Sequence, residues 1–208
     1  MITPEEAKHY SHQFLEKHGI EVPSHLPIID KQHSLTPPSA DDVARRLLVL
    51  GYLIGASYSA SPKEVKALVE TYNLWHALSR SEKKLLNQKT FSDRDKINAS
   101  WLSECAEVLA WGLQLTDIDH FHKSRETYAE NLPIKADPTS FIDSSETRPY
   151  DEIYAQADLI FRLHWFAKQA HYDQKPCPLN WEVLQERHRA INWLVGEEPD
   201  WDEVTTDT

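Results

Sequence analysis

Apolar residues along this chain recur at alternating three- and four-residue steps, and no run of strictly alternating apolar and polar residues exceeds a few positions. That pattern predicts helices. A first helix reads from Glu5 to His18, after which Gly19, Pro23 and Pro27 impose an irregular, wrapping loop that reaches Pro37 and Pro38. Ser39 or Asp41 caps a second helix to about Ser57, with Val43, Leu47, Leu50 and Ile54 on one face. Gly51 and Gly55 in that helix are expected to let a neighbouring backbone approach closely. Ser61, Pro62 and Glu64 spell a capping box for a short helix ending near Trp75, and Ser79 or Ser81 opens another through Leu85 and Leu86.

Ser92, with Asp93 and Asp95 in the first turn, starts a long helix that reads to Gly112, a candidate stop. Ile97, Trp101, Cys105 and Val108 form its apolar stripe, with Glu104 and Glu107 on the adjoining face. Thr116 to Thr147 carries few periodic apolar residues and is expected to be a long loop with one short helix around Arg125 to Asn131. From Pro149 to Tyr172 the chain is apolar nearly all round, as a central helix would be, apart from a stripe of Asp158, Arg162, Trp165 and Gln169. Asn180 caps a last helix through Trp181, Leu184, His188, Ile191 and Val195, ending at Gly196 before an acidic tail. The expected fold is all-α: one irregular helical bundle with long central helices and an ordered acidic C-terminal tail. Residues 1–38 supply its first helix and loop, and 39–208 the main bundle and tail.

Composition narrows the functional classes. With 208 residues, 40% of them hydrophobic, the chain can bury a core without staples. The two cysteines, Cys105 and Cys177, form no CxxC pair and read as reduced thiols. The N-terminus lacks a basic segment followed by an apolar one, so a cytoplasmic location is expected. The longest apolar stretch, Leu47 to Ala56, falls well short of the roughly 20 residues a membrane span needs, so no membrane partner is expected. A formal net charge of −11 has the wrong sign for holding phosphates and argues against nucleic acid. Acidity of this kind is commoner as a solubility device than as a partner signal, and it would also favour encounter with a basic partner.

Candidate chemistry is sparse. Glu6 and His9 form the single Glu-x-x-His, half of what a helical di-metal carboxylate centre requires. Asp117, Asp119, His120 and His122 offer metal-compatible ligands in a loop but match no established metal spacing. No metal and no cofactor is therefore assigned. Nucleophile elbows, phosphate-binding glycine loops, dinucleotide fingerprints and HExxH are absent. The strongest polar group is Glu104 and Glu107 with Asp158, Arg162, His164 and His188, which could form a pocket between the long helices or a saturated network fixing the core. Trp201 in the tail either docks on the bundle or stands exposed as a partner anchor.

The run Glu186-Arg187-His188-Arg189-Ala190-Ile191-Asn192-Trp193-Leu194, with Trp201-Asp202-Glu203-Val204-Thr205-Thr206-Asp207-Thr208 after it, resembles a bacterial family of uncharacterised proteins, domain-of-unknown-function family four-two-seven-two. Arg45-Arg46-Leu47, Glu104-Cys105-Ala106-Glu107, Ala157-Asp158-Leu159 and Arg162-Leu163-His164-Trp165 support it. The resemblance implies a helical cytoplasmic protein and brings no activity with it. Its recurring polar positions would here be Arg46, Glu104, Asp158, Arg162, Arg187, Asn192 and Asp202.

Two functional expectations follow. One is a non-enzymatic protein that recognises another protein, a basic one, with bacterial toxin neutralisation (immunity) as its most concrete form. Asp117, Asp119, Glu126, Glu130 and Trp201 would be its contact residues. The other is a small-molecule enzyme or sensor in which Glu104 or Glu107 acts as base and Arg162 or Arg187 binds an anion.

Overall fold

The computed structural model describes residues 2–29 and 35–208; part of the predicted wrapping loop, residues 30–34, lies outside them. Among the described residues the regular structure is entirely helical: α1 (Pro4–Lys17), α2 (Ala40–Tyr58), α3 (Pro62–Thr71), α4 (Arg80–Leu86), α5 (Asp93–Gly112), α6 (Thr139–Asp143), α7 (Tyr150–Tyr172) and α8 (Trp181–Val195), with 3-10 turns at Trp75–Ala77 and Thr127–Asn131. All the starts but those of α6 and α7, which follow Pro138 and Pro149, carry a side-chain cap. Ser39, Ser61, Ser79 and Ser92 each accept the N–H three residues on, and Asn180 accepts those of Glu182 and Val183.

The bundle is assembled around α5, which packs on α2 on one side and α8 on the other, while α7 joins α8 to α1. Centrality thus belongs to α5 more than to the apolar α7. Cys105, Ala106, Val108, Leu109 and Ala110 are all fully buried, although Ile97, predicted on the same stripe, is 59% exposed because the first turns of α5 project beyond the core. α5 and α8 run in step, since Cys105 meets Glu186 and Gly112 meets Leu194. A Cβ on Gly112 would sit 2.7 Å from Leu194 Cδ2, so this glycine serves a close helix approach, and it ends no helix by a left-handed turn. Gly51 and Gly55 need no such explanation: their nearest neighbours would be side chains at 3.4 Å or more, and no backbone crosses there.

Gly196 does provide a left-handed stop, with φ +88°, and its missing side chain admits Thr36, whose carbonyl carbon would lie 2.4 Å from a Cβ. The Thr36 N–H donates to Gly196 O, which ties the segment before α2 to the end of α8. The other end of the wrapping loop is held against α1 and α7. Lys8 donates to Ser24 O and Leu26 O, Arg162 to Pro27 O, and the Tyr154 hydroxyl to Ile29 O.

The tail is ordered by specific contacts. Trp201 is 4% exposed, edge-on to Trp193, with the Arg46 guanidinium 4.1 Å from its ring centroid. Asp202 accepts the N–H and hydroxyl of Ser81 at 2.8 and 2.7 Å, and Asn192 donates to Thr205 O. Burying such a ring contributes about 2–3 kcal/mol, enough to hold a short terminal segment.

Candidate functional site

The buried polar residues separate into distinct groups, each built across different helices. Arg187, from the middle of α8, enters between α5 and the loop that follows it and is 0% exposed. Its Nε donates to Glu104 Oε2 at 3.0 Å and its Nη2 to Glu107 Oε2 at 2.6 Å. The remaining donors reach backbone: Nη1 meets Asp119 O at 2.7 Å and Nη2 meets His122 O at 2.9 Å. Glu104 completes the arrangement by accepting the Ser124 N–H at 3.0 Å. Burial pushes the Glu107 carboxyl above its ordinary range and Glu104 adds to that, while Arg187 opposes both. With four of its five N–H groups bonded inside the protein, this guanidinium has little capacity left for a substrate anion.

A second group is local to α7. Arg162 and Asp158, 0% and 1% exposed, make a bidentate pair with both N–O distances at 2.8 Å, and Arg162 also donates to Pro27 O. Third, His164 and His188 face each other across α7 and α8 with their Nδ1 atoms 3.0 Å apart, one ring donating and the other accepting. Burial drives both below the ordinary imidazole range; Lys168 further disfavours charge on both rings, and His164 disfavours it on His188. The fourth group joins α2 to α4 and the tail: Arg46 holds Glu82 through two bonds of 2.6 and 2.7 Å and donates to Ala77 O. Asn192 and Asp202 belong to the tail's attachment.

The ten polar candidates therefore do not converge. A cleft of about 960 Å³ beside the tail is lined by Arg46 alone among them. The three buried arginines, Arg46, Arg162 and Arg187, all end on carboxylates, and of their nitrogens Arg46 Nε and Arg162 Nη1 are buried without a hydrogen-bond partner. Sequence reasoning missed Glu82, although Ser79-x-x-Glu82 carries the capping-box spacing that marks it, and Gln156, which donates to His120 Nε2 at 2.9 Å.

His120 points inward and burial lowers its pKa to about 3, whereas Asp119 and His122 pair with each other at the surface. Among the described residues no three His, Cys, Asp or Glu side chains gather where a metal ion would be held. Glu6 is engaged by the Thr3 cap and His9 by Gln13. Cys105 is fully buried and donates its thiol to Glu186, with burial raising its pKa well above the ordinary thiol value, so it is no nucleophile.

The loop from Thr116 to Glu146 carries seven carboxylates against three Lys and Arg side chains. Its 3-10 turn lies where a short helix was expected, and α6 is an added element, begun by Asp137 accepting the N–H and hydroxyl of Thr139. The Asp117 side chain is 99% exposed and that of Asp119 57%; Glu130 is exposed as well, and Glu126 is half-buried, accepting the Tyr58 hydroxyl at 2.9 Å. Trp201 departs from this set. Predicted as a contact residue, it is buried because its own tail folds back onto Arg46 and Trp193.

One family model, described as "Domain of unknown function (DUF4272)", matches residues 7–204, nearly the whole chain. No curated protein and no solved structure matches.

Proposed function

We propose, for a chain that belongs to the DUF4272 family, a non-enzymatic role in which the acidic loop between α5 and α7 recognises a protein partner with a basic surface. The observation that supports this reading is the use made of Arg187. Two of its four hydrogen bonds end on loop carbonyls, Asp119 O and His122 O, so the buried ion-pair group holds the loop in place. A loop fixed before encounter loses little conformational entropy on binding, and its exposed carboxylates steer a basic partner from a distance. Ion pairs at that surface are weak, such as the 3.5 Å contact of Arg148 with the fully exposed Asp117 carboxylate, leaving most of the charge to act outward.

In its most concrete form the protein is a cytoplasmic bacterial immunity protein that captures a basic toxin. The small-molecule reading draws less support at its original location, because Arg187 is bonded to Glu104 and Glu107, and Arg162 to Asp158. Affinity capture from native lysate tests the proposal. The expected result is a stoichiometric basic protein retained at low salt, released at moderate salt, and not retained by an Asp117→Lys/Glu130→Lys/Asp143→Lys variant. A partner held equally by wild type and variant at both salts would refute it.

A further inference from the structure

A second concave site lies on another face, between α4, the first half of α5 and α8, with the docked tail as one wall. Its volume is about 440 Å³, within the roughly 300–1,000 Å³ of small-molecule sites. Glu186 and Arg189 project into it from α8, three residues apart and so on the same helix face. Both are half-buried. Arg46, Arg162 and Arg187 are each bonded to a carboxylate, yet Glu186 and Arg189 form no ion pair with each other or with any described residue.

What each does contact fixes its direction without saturating it. Glu186 Oε2 accepts the buried Cys105 thiol at 3.3 Å, leaving most of the carboxylate's acceptor capacity open. Arg189 donates through Nη2 to Trp201 O at 3.1 Å, and its guanidinium lies 5.2 Å from the Trp201 ring, so several of its five N–H groups stay free. Lys84, also on the lining, has an ammonium that bonds to no described residue. Trp101 and Leu102 supply an apolar wall beside these charges.

We propose that this pocket binds a small zwitterion, a free α-amino acid with an apolar side chain. Its ammonium meets Glu186, its carboxylate meets Arg189 and Lys84, and its side chain lies against Trp101 and Leu102. Opposite charges one helical turn apart suit a ligand that carries both signs on one carbon. A simple anion site would have no use for Glu186, and a simple cation site none for Arg189. The proposal does not rest on the charge of the acidic loop, whose Lys123 ammonium touches the pocket wall 4.5 Å from the Trp101 ring centroid.

Calorimetric titration of the intact chain with each common amino acid, then with leucine, leucinamide and 4-methylpentanoate, tests it. Apolar amino acids are expected to bind and to raise the melting temperature, polar ones to bind more weakly. Glu186→Gln and Arg189→Gln should each weaken leucine roughly ten- to a hundredfold. Leucinamide, which lacks the carboxylate, should become indifferent to Arg189→Gln, and 4-methylpentanoate, which lacks the ammonium, indifferent to Glu186→Gln. This double selectivity holds even if one variant also loses stability. Absence of binding by every amino acid at millimolar concentration overturns the proposal. So does equal binding of either analogue and leucine, or leucine binding unaffected by both substitutions.

Discussion

Arg187 carries the largest structural load of any single side chain here, because two carboxylates and two loop carbonyls depend on it. Arg187→Met would leave Glu104 and Glu107 facing each other in a dry interior, a loss of about 3–5 kcal/mol. Urea unfolding should show that loss, and amide exchange should speed up at residues 119–124, where the loop is bonded to the guanidinium and to Glu104. Destabilisation with no change in loop exchange would separate the ion pairs from loop positioning. Histidines give a second residue-scale prediction. Burial lowers the folded pKa of His120 to about 3, and lowers those of His164 and His188, whereas an unfolded imidazole titrates near 6.5. Between those values the unfolded chain binds more protons, so the contribution is full above about pH 7 and declines as pH falls through about 6.5 toward 3. A melting temperature that stays flat from pH 7 to pH 4 would contradict it, and His120→Gln should lessen the slope.

At the scale of elements, the helices were legible because their starts are written in local chemistry: Ser39, Ser61, Ser79, Ser92 and Asn180 all cap where the sequence places them. α6 was not, since five residues launched by Asp137 and Pro138 are too few to show a period. The candidate site was legible only as a set of residues. Which carboxylate meets which arginine depends on how α5, α7 and α8 are set against one another, and spacing along one helix gives only the Asp158–Arg162 pair. Helix ends also give a test. Gly196→Ala places a Cβ in a left-handed residue and 2.4 Å from Thr36, so it should cost more than the ~1 kcal/mol of a strained φ alone, read as a shift in the urea midpoint. Trp201→Ala should cost about 3–5 kcal/mol and free the tail, seen as fast exchange after Gly196. An unperturbed tail in that variant would mean that Asp202 and Asn192 suffice to dock it.

For the molecule as a whole, charge is distributed unevenly. Paired arginines and carboxylates lie inside, where they fix the packing of α5, α7 and α8, and the exposed carboxylates of the loop, with only weak surface partners, lie outside. No helix among the described residues is long and apolar enough to cross a membrane. We propose that this outer charge, held still by the inner pairs, recognises a basic protein. Its most direct test is the association rate with the captured partner, measured against ionic strength for wild type and for the Asp117→Lys/Glu130→Lys/Asp143→Lys variant. A steep fall of the wild-type on-rate with salt is expected, with a shallow dependence for the variant and convergence of the two at high salt. Parallel salt dependences, or an unchanged on-rate in the variant, would contradict it.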